Sequence, residues 1–320
     1  VADVAQAEKN LGAIFRMKAS TRERVHEFIR DQKSLLNRYI ASNGMAETIT
    51  RLLEDLTSQP SIVANLSAME EKSPSLLSHG LRVTVMAVCI GRKYGFDYTE
   101  LKQLATGALL ADIGMIALPA ELVGSTQMLE EEQRKLLAQH TVYGYLMLSQ
   151  NNRILPTSAA IALQHHEHQD GTGYPRGLPG DNRPPTKSLC KSGLVHRFAE
   201  IVAVADTYDM LTYGRTPYGV KVGQRKAMEM LYELAGVKLN ADIVRTLARI
   251  TPVYPKGVRI KVSAAPVADL VGYFGVVARD NPLDLTKPTV LLYETRKHQK
   301  IKPLLIELGK VNGVAIEVVV

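Results

Sequence analysis

At 320 residues the chain exceeds one ordinary core, and its length predicts about two domains. With 46% hydrophobic and 22% charged residues, the composition excludes the disordered and fibrous classes. The longest apolar stretches, such as Val83–Ile90, fall short of the ~20 residues that a membrane-spanning helix needs. Cys89 and Cys190 are the only cysteines, which excludes a disulfide framework and a cysteine-based zinc site. Together with an opening that does not resemble a basic, apolar leader, they predict a cytoplasmic protein. The net charge of +7 favours an anionic partner, but no dense lysine–arginine block stands out, and nucleic acid is not the expected one.

Residues 21–40 read as an amphipathic helix, with Thr21 as N-cap and Asn43-Gly44 as its stop. Its apolar positions, Val25, Phe28, Ile29, Leu35, Leu36, Tyr39 and Ile40, recur at helical spacing. Helical periodicity continues through 46–56, 61–69, 76–94 and 99–111, and resumes over 129–149 and 158–165. Residues 170–193 are rich in Gly, Pro, Arg, Lys and Ser without apolar periodicity, which predicts a long loop of the kind that carries function. Helices return at 197–212, 224–235 and 241–250. After Thr251-Pro252 the pattern changes to short alternating or β-branched runs at 258–262, 271–278, 289–293 and 314–320. Turn signals at Asp280-Asn281-Pro282 and Asn312-Gly313 divide them. The predicted organisation is an N-terminal helical linker or dimerisation region (1–60), a helical metal-site domain (61–250) and a small β-rich module (251–320). The fold class is mainly α.

The chemistry-bearing residues fall in the helical part. His79 lies early in a helix, Asp112 follows the apolar Leu109-Leu110-Ala111, and His140 sits midway along the helix over 129–149. His165 and His166 are adjacent, with Glu167, His168 and Asp170 close behind. Asp206 follows Ile201-Val202-Ala203-Val204-Ala205, a setting in which a buried carboxylate needs a cation to offset its desolvation. Singly, each residue also reads as a hydrogen-bonded histidine or a capping aspartate. As a set, imidazoles and carboxylates on the helices of a bundle make donors suited to iron, manganese or zinc. Neighbouring helical residues point about 100° apart, so His165 and His166 reach one ion only at a helix end, or else serve two metals side by side. Two metals about 3.5–4 Å apart, bridged by Asp112, would activate a water and clamp a phosphodiester.

The run His165-His166-Glu167-His168-Gln169-Asp170-Gly171-Thr172-Gly173-Tyr174-Pro175 matches the HHExxDGxGYP signature of the HD-GYP phosphodiesterases, bacterial signalling enzymes that hydrolyse cyclic dinucleotides. The chain resembles that family over roughly residues 60–250. The run from Glu200 to Asp209 is similar to its helix with a metal-binding aspartate, and Arg215 in Gly214-Arg215-Thr216-Pro217-Tyr218 resembles its nucleotide-contacting arginine. His140 with Gly144 resembles its HPxxG element, with Thr141 in place of the proline. The resemblance implies an HD-superfamily bundle in which His79, Asp112, His140, His165, His166 and Asp206 ligate two divalent metals, Fe or Mn. It implies that Asp112 and Arg215 act in hydrolysis of c-di-GMP or 3′,3′-cGAMP, and that Gly173, Tyr174, Pro175 and Arg215 contact that substrate. It also implies a docking role for the GYP loop toward diguanylate cyclase-type proteins. Residues 1–40 offer a helical surface for a homodimer.

Two positions depart from the family's HDIGK. Ala111-Asp112-Ile113-Gly114-Met115 carries Ala where the family has a metal-binding histidine and Met where it has a lysine. Ser75 stands where members with three metals have a glutamate, so two metals are expected rather than three. The position formed by Asp112, His140, His165 and His166 is complete, whereas that formed by His79, Asp112 and Asp206 lacks one imidazole. Weaker occupancy of the second position and slower turnover are the expected results. The alternative expectation is a catalytically degenerate member that senses a cyclic dinucleotide or docks a partner protein.

Overall fold

The computed structural model describes residues 21, 23–28, 45–123, 129–186, 192–213, 221–251, 254, 256–266, 268–279, 281 and 284–319. Of the helix predicted over 21–40, only 21 and 23–28 are described, and they are helical; the rest lies outside the described residues, as does Arg215. The chain divides into two compact units at Leu247/Ala248.

The first unit is a bundle of helices: α1 (Met45–Thr57), α2 (Pro60–Lys72), α3 (Pro74–Lys93), α4 (Tyr98–Leu109), a 3₁₀ turn (Ile113–Ala117), α5 (Ala120–Val123), α6 (Glu131–Ala138), α7 (His140–Ser149), α8 (Pro156–Gln164), α9 (Arg197–Tyr213), α10 (Gln224–Leu234) and α11 (Ala241–Ile250), whose last turn passes the division. Proline opens α2, α3 and α8, where its missing N–H costs no helical hydrogen bond. Asp97 caps α4, accepting from the Glu100 N–H while the Glu100 carboxylate accepts from the Asp97 N–H. The two central rods are α3, which packs on α4 and α9, and α9, with thirteen of its seventeen residues buried. Among the described residues, α3 alone is long and apolar enough to cross a membrane, but 72% of that stretch is buried inside the fold, as in a core helix.

The single helix expected over 129–149 is two helices, α6 and α7, broken at Gln139. The break places His140 at the first position of α7 rather than in mid-helix. It also lets the 3₁₀ turn approach: a Cβ on Gly114 would lie 1.9 Å from the His140 carbonyl oxygen, so only glycine fits there. The described residues of the long loop over 170–193 contain no helix or strand.

The second unit is an antiparallel sheet of β1 (Arg259–Ala264), β2 (Phe274–Arg279), β3 (Thr289–Glu294), β4 (Lys300–Glu307) and β5 (Ala315–Val318), in the order β4-β3-β2-β1-β5. Alternate residues point inward to a core of Ile260, Val262, Val277, Val290, Leu292, Ile306, Leu308 and Ile316. Four strands follow the sequence reading, and β4 does not. It is an edge strand with Lys300, Lys302 and Pro303 on it and only Ile306 buried, so it lacks the half-buried alternation that marks the others. The fold is mainly α with a small C-terminal sheet, as the sequence predicts.

Candidate metal centre

The site forms where three chain breaks meet: the end of α8, the start of α7 and the turn after α4. Helix α8 stops at Gln164, and His165 occupies its C-cap (φ −68°, ψ −7°). His165 and His166 therefore lie in a turn, and their rings approach to 4.1 Å between centroids. This is the helix end that the sequence offered as one way for adjacent histidines to converge. Asp112 follows α4, and its carboxylate makes no capping hydrogen bond to the 3₁₀ turn. Its Oδ1 lies 3.5 Å from His140 Nε2 and 3.8 Å from His165 Nε2, while its Oδ2 lies 3.6 Å from His79 Nε2. One ligand atom each from Asp112, His140, His165 and His166 falls within 4.8 Å of all the others.

Backbone carbonyls orient two of these rings. His140 Nδ1 lies 2.7 Å from the Leu137 carbonyl oxygen, and His165 Nδ1 lies 3.1 Å from those of Ile161 and Ala162. A carbonyl only accepts, so Nδ1 carries the proton in both, and each Nε2 turns inward. The two Nε2 atoms face one another at 3.4 Å. Two lone pairs at that distance need a proton or a metal ion between them, and with His166 and Asp112 alongside, the donor set suits a divalent cation. Burial holds His140 below the usual imidazole range and His166 well below it, the latter helped by His165 and His140. Burial also opposes charge on His165, but the Asp112 carboxylate outweighs it and raises that histidine. For Asp112, burial favours the neutral acid, and the surrounding imidazoles overcome it, holding the carboxyl well below its ordinary range.

Across Asp112 lies His79, on α3. Its Nε2 is 2.8 Å from Asp206 Oδ1, and its Nδ1 is 2.7 Å from Asp209 Oδ2, both on α9. Burial alone would depress His79, but the hydrogen bonds to these two carboxylates raise it to about 10. The structure thus brings together all six expected ligands, in a cluster of four and a cluster of His79 with Asp206, with Asp112 touching both. Asp209 and Arg82 are additions that the sequence reading did not single out. Arg82 donates Nε to Asp209 Oδ1 (2.6 Å) and Nη2 to Oδ2 (2.8 Å). The signal was there in the spacing: His79 and Arg82, and Asp206 and Asp209, each stand three apart on a helix and so share a face.

The signature loop is tied down at several points. Glu167 accepts the Arg176 and Leu178 N–H groups at 2.8 and 2.9 Å. A Cβ on Gly173 would come within 2.3 Å of His168 N and 2.5 Å of the His166 carbonyl oxygen, so the loop closes only around glycine. The Tyr174–Pro175 peptide is cis, and the Tyr174 ring stacks on His166 at 4.9 Å. Gln169 donates Nε2 to Glu200 Oε1 at 2.6 Å and accepts the Asn182 N–H at 2.9 Å. Glu200 is buried on α9, and burial raises it to about 7 against the opposing hydrogen bonds from Gln169 and Asn240, with Asp181 adding to the rise. The sequence reading missed this latch. His168 bonds to Thr172 and faces outward; His26 is exposed on the N-terminal helix and His298 lies in the sheet unit.

Comparison with known proteins extends this geometry. The HD domain family matches residues 63–243, more than half of the chain. A cyclic di-GMP phosphodiesterase of Thermotoga maritima is 30% identical over 240 residues, covering 73% of this chain and 61% of that protein. The cyclic di-GMP phosphodiesterase response regulator RpfG of Xanthomonas campestris is 32% identical over 169 residues, or 52% of this chain and 41% of its own. A 3′3′-cGAMP-specific phosphodiesterase of Vibrio cholerae is 27% identical over 182 residues, or 56% of this chain and 33% of its own. The chain thus spans less than two thirds of each relative. It belongs to the HD domain family, and with the whole His165–Pro175 signature in place it is an HD-GYP member of it.

Proposed function

We propose that this chain is a metal-dependent phosphodiesterase that hydrolyses a cyclic dinucleotide, c-di-GMP or 3′,3′-cGAMP, at reduced turnover. The observation that carries the reading is Asp112, whose two carboxylate oxygens face separate imidazole groups, His140 and His165 on one side and His79 on the other. That is the arrangement of a carboxylate bridging two cations. Asp112, His140, His165 and His166 would hold one divalent ion, and His79, Asp112 and Asp206 the other, with iron and manganese suited to such mixed nitrogen and oxygen donors. When bound, such ions polarise a phosphodiester and acidify a water. The similar proteins named as c-di-GMP and 3′3′-cGAMP phosphodiesterases support the substrate class.

The chain's own residues have distinct tasks in this reading. Tyr174 stacks on His166 and fixes the plane of that ring, with Gly173 and Pro175 shaping the loop that presents it to substrate. Arg215 would offset charge on the non-bridging phosphate oxygens, where electrostatic stabilisation is often the largest single contribution. Met115 cannot donate a proton, so protonation of the leaving ribose oxygen falls to water or to another group. Ala111, buried beside Asp112, favours a second reading, a degenerate member that senses a cyclic dinucleotide or docks a diguanylate cyclase-type partner.

Anaerobic incubation of the iron- or manganese-loaded protein with each dinucleotide, products resolved by chromatography, separates the two. A linear dinucleotide that disappears with Asp112→Ala is expected. With metal content verified, no product from either substrate would overturn the enzyme reading and leave the sensor.

A further inference from the structure

His140 and His165 sit at helix ends, where the Nδ1 of each reaches carbonyls in the last turn of α6 or α8. His79 lies inside α3, and its Nδ1 finds its acceptor on another helix. Asp209 on α9 is that acceptor, at 2.7 Å, and it is buried to 1% exposure. Arg82 grips the same carboxylate through both Nε and Nη2, and its guanidinium lies 3.9 Å over the Tyr213 ring. A carboxylate held in that bidentate fork stays an acceptor only. The His79 Nδ1 therefore has to donate, and the proton on Nε2, which faces Asp206 and Asp112, is the one that a cation bound there would displace.

We propose that Asp209 and Arg82 form a positioning pair that fixes the Nδ1–H tautomer of His79 and aims its Nε2 at the second metal position. The inference rests on the metal-site reading above, and on none of the substrate assignment. The pairing runs as two rungs between α3 and α9, His79 to Asp206 and Arg82 to Asp209, with the His79–Asp209 hydrogen bond as the diagonal. An ordinary interhelical ion pair would need only the second rung. The diagonal ties the orientation of a ligand to it.

The test uses the full chain titrated with zinc alone, up to millimolar, with imidazole tautomers read from long-range proton–nitrogen spectra and affinity read by calorimetry. The expected wild-type result is His79 protonated at Nδ1 with zinc-perturbed Nε2. The variant is Arg82→Met/Asp209→Ala, which removes both charges together so that neither is left buried and unpaired. It is expected to unfold near the wild-type midpoint yet to take up the His79-dependent zinc about 10–100-fold more weakly. A proton on Nε2 of His79 in the zinc-loaded wild type, no zinc effect on that ring, or wild-type zinc uptake by the double variant would each overturn the proposal. The wild-type spectrum decides alone if the double variant does not fold. Since no nucleotide is present, failure to hydrolyse cyclic dinucleotides would refute the functional reading and leave this one standing.

Discussion

Replacing Glu200 with glutamine removes a buried acid while keeping its hydrogen bonds. The amide oxygen still accepts from Gln169 and Asn240, and the amide N–H₂ takes the place of the acid's proton. Glu200 titrates at about 7 in the fold, raised by burial from its ordinary 4.5. Because the folded protein holds that proton more tightly than the unfolded chain, the stabilisation is fully present below pH 4.5 and is lost as pH rises toward 7. At ~1.4 kcal/mol per pH unit, the gap amounts to about 3 kcal/mol. Urea denaturation of the metal-free protein at intervals from about pH 5 to 8.5 should therefore show wild type losing up to about 3 kcal/mol relative to Glu200→Gln, with the loss levelling off above pH 7. Subtracting the variant cancels the histidines, which titrate in both proteins. A difference that stays constant across this range would refute the reasoning and mean that Glu200 is ionised, or equally protonated, throughout.

Gly173→Ala should force the loop to move by about 1 Å at His168 N, at a cost of about 1–3 kcal/mol, and should weaken zinc binding because Tyr174 and His166 move with it; calorimetry and thermal unfolding check both. Ala111→His should strengthen the second, weaker metal-binding event by about 10-fold or more, since a direct ligand contributes at least as much as an outer partner. Metal analysis before and after dialysis reads that change, and turnover should rise with it.

Much of the site was legible because its residues carry contrast with their surroundings. Asp206 stands out in an apolar helix, and the eleven-residue signature fixes His165, His166 and the loop after them. What the sequence did not convey depends on chain direction at breaks. Gln139 has no helix-breaking character, so nothing in residues 129–149 announced that His140 opens a new helix rather than sitting within one. Asp209 and Glu200 were hidden for another reason. Each is polar on a helix whose neighbours are apolar, as Asp206 is, but their partners, Arg82 and Gln169, lie 127 and 31 residues away, and only the fold pairs them. The edge strand β4 was missed because lysines and Pro303 replace the alternation by which strands are read.

Helix α9 carries Glu200, Asp206 and Asp209 on one buried rod. It works as a shared ruler: the loop latch and the metal ligands take their positions from one backbone, so neither can be adjusted by sliding the helix without displacing the other. A single residue inserted between Glu200 and Asp206 would rotate the two ends relative to each other by about 100° and lengthen the rod by about 1.5 Å. Retuning of this centre is thus confined to exchanging side chains at fixed positions, and the freedom to vary length belongs to the segments between helices.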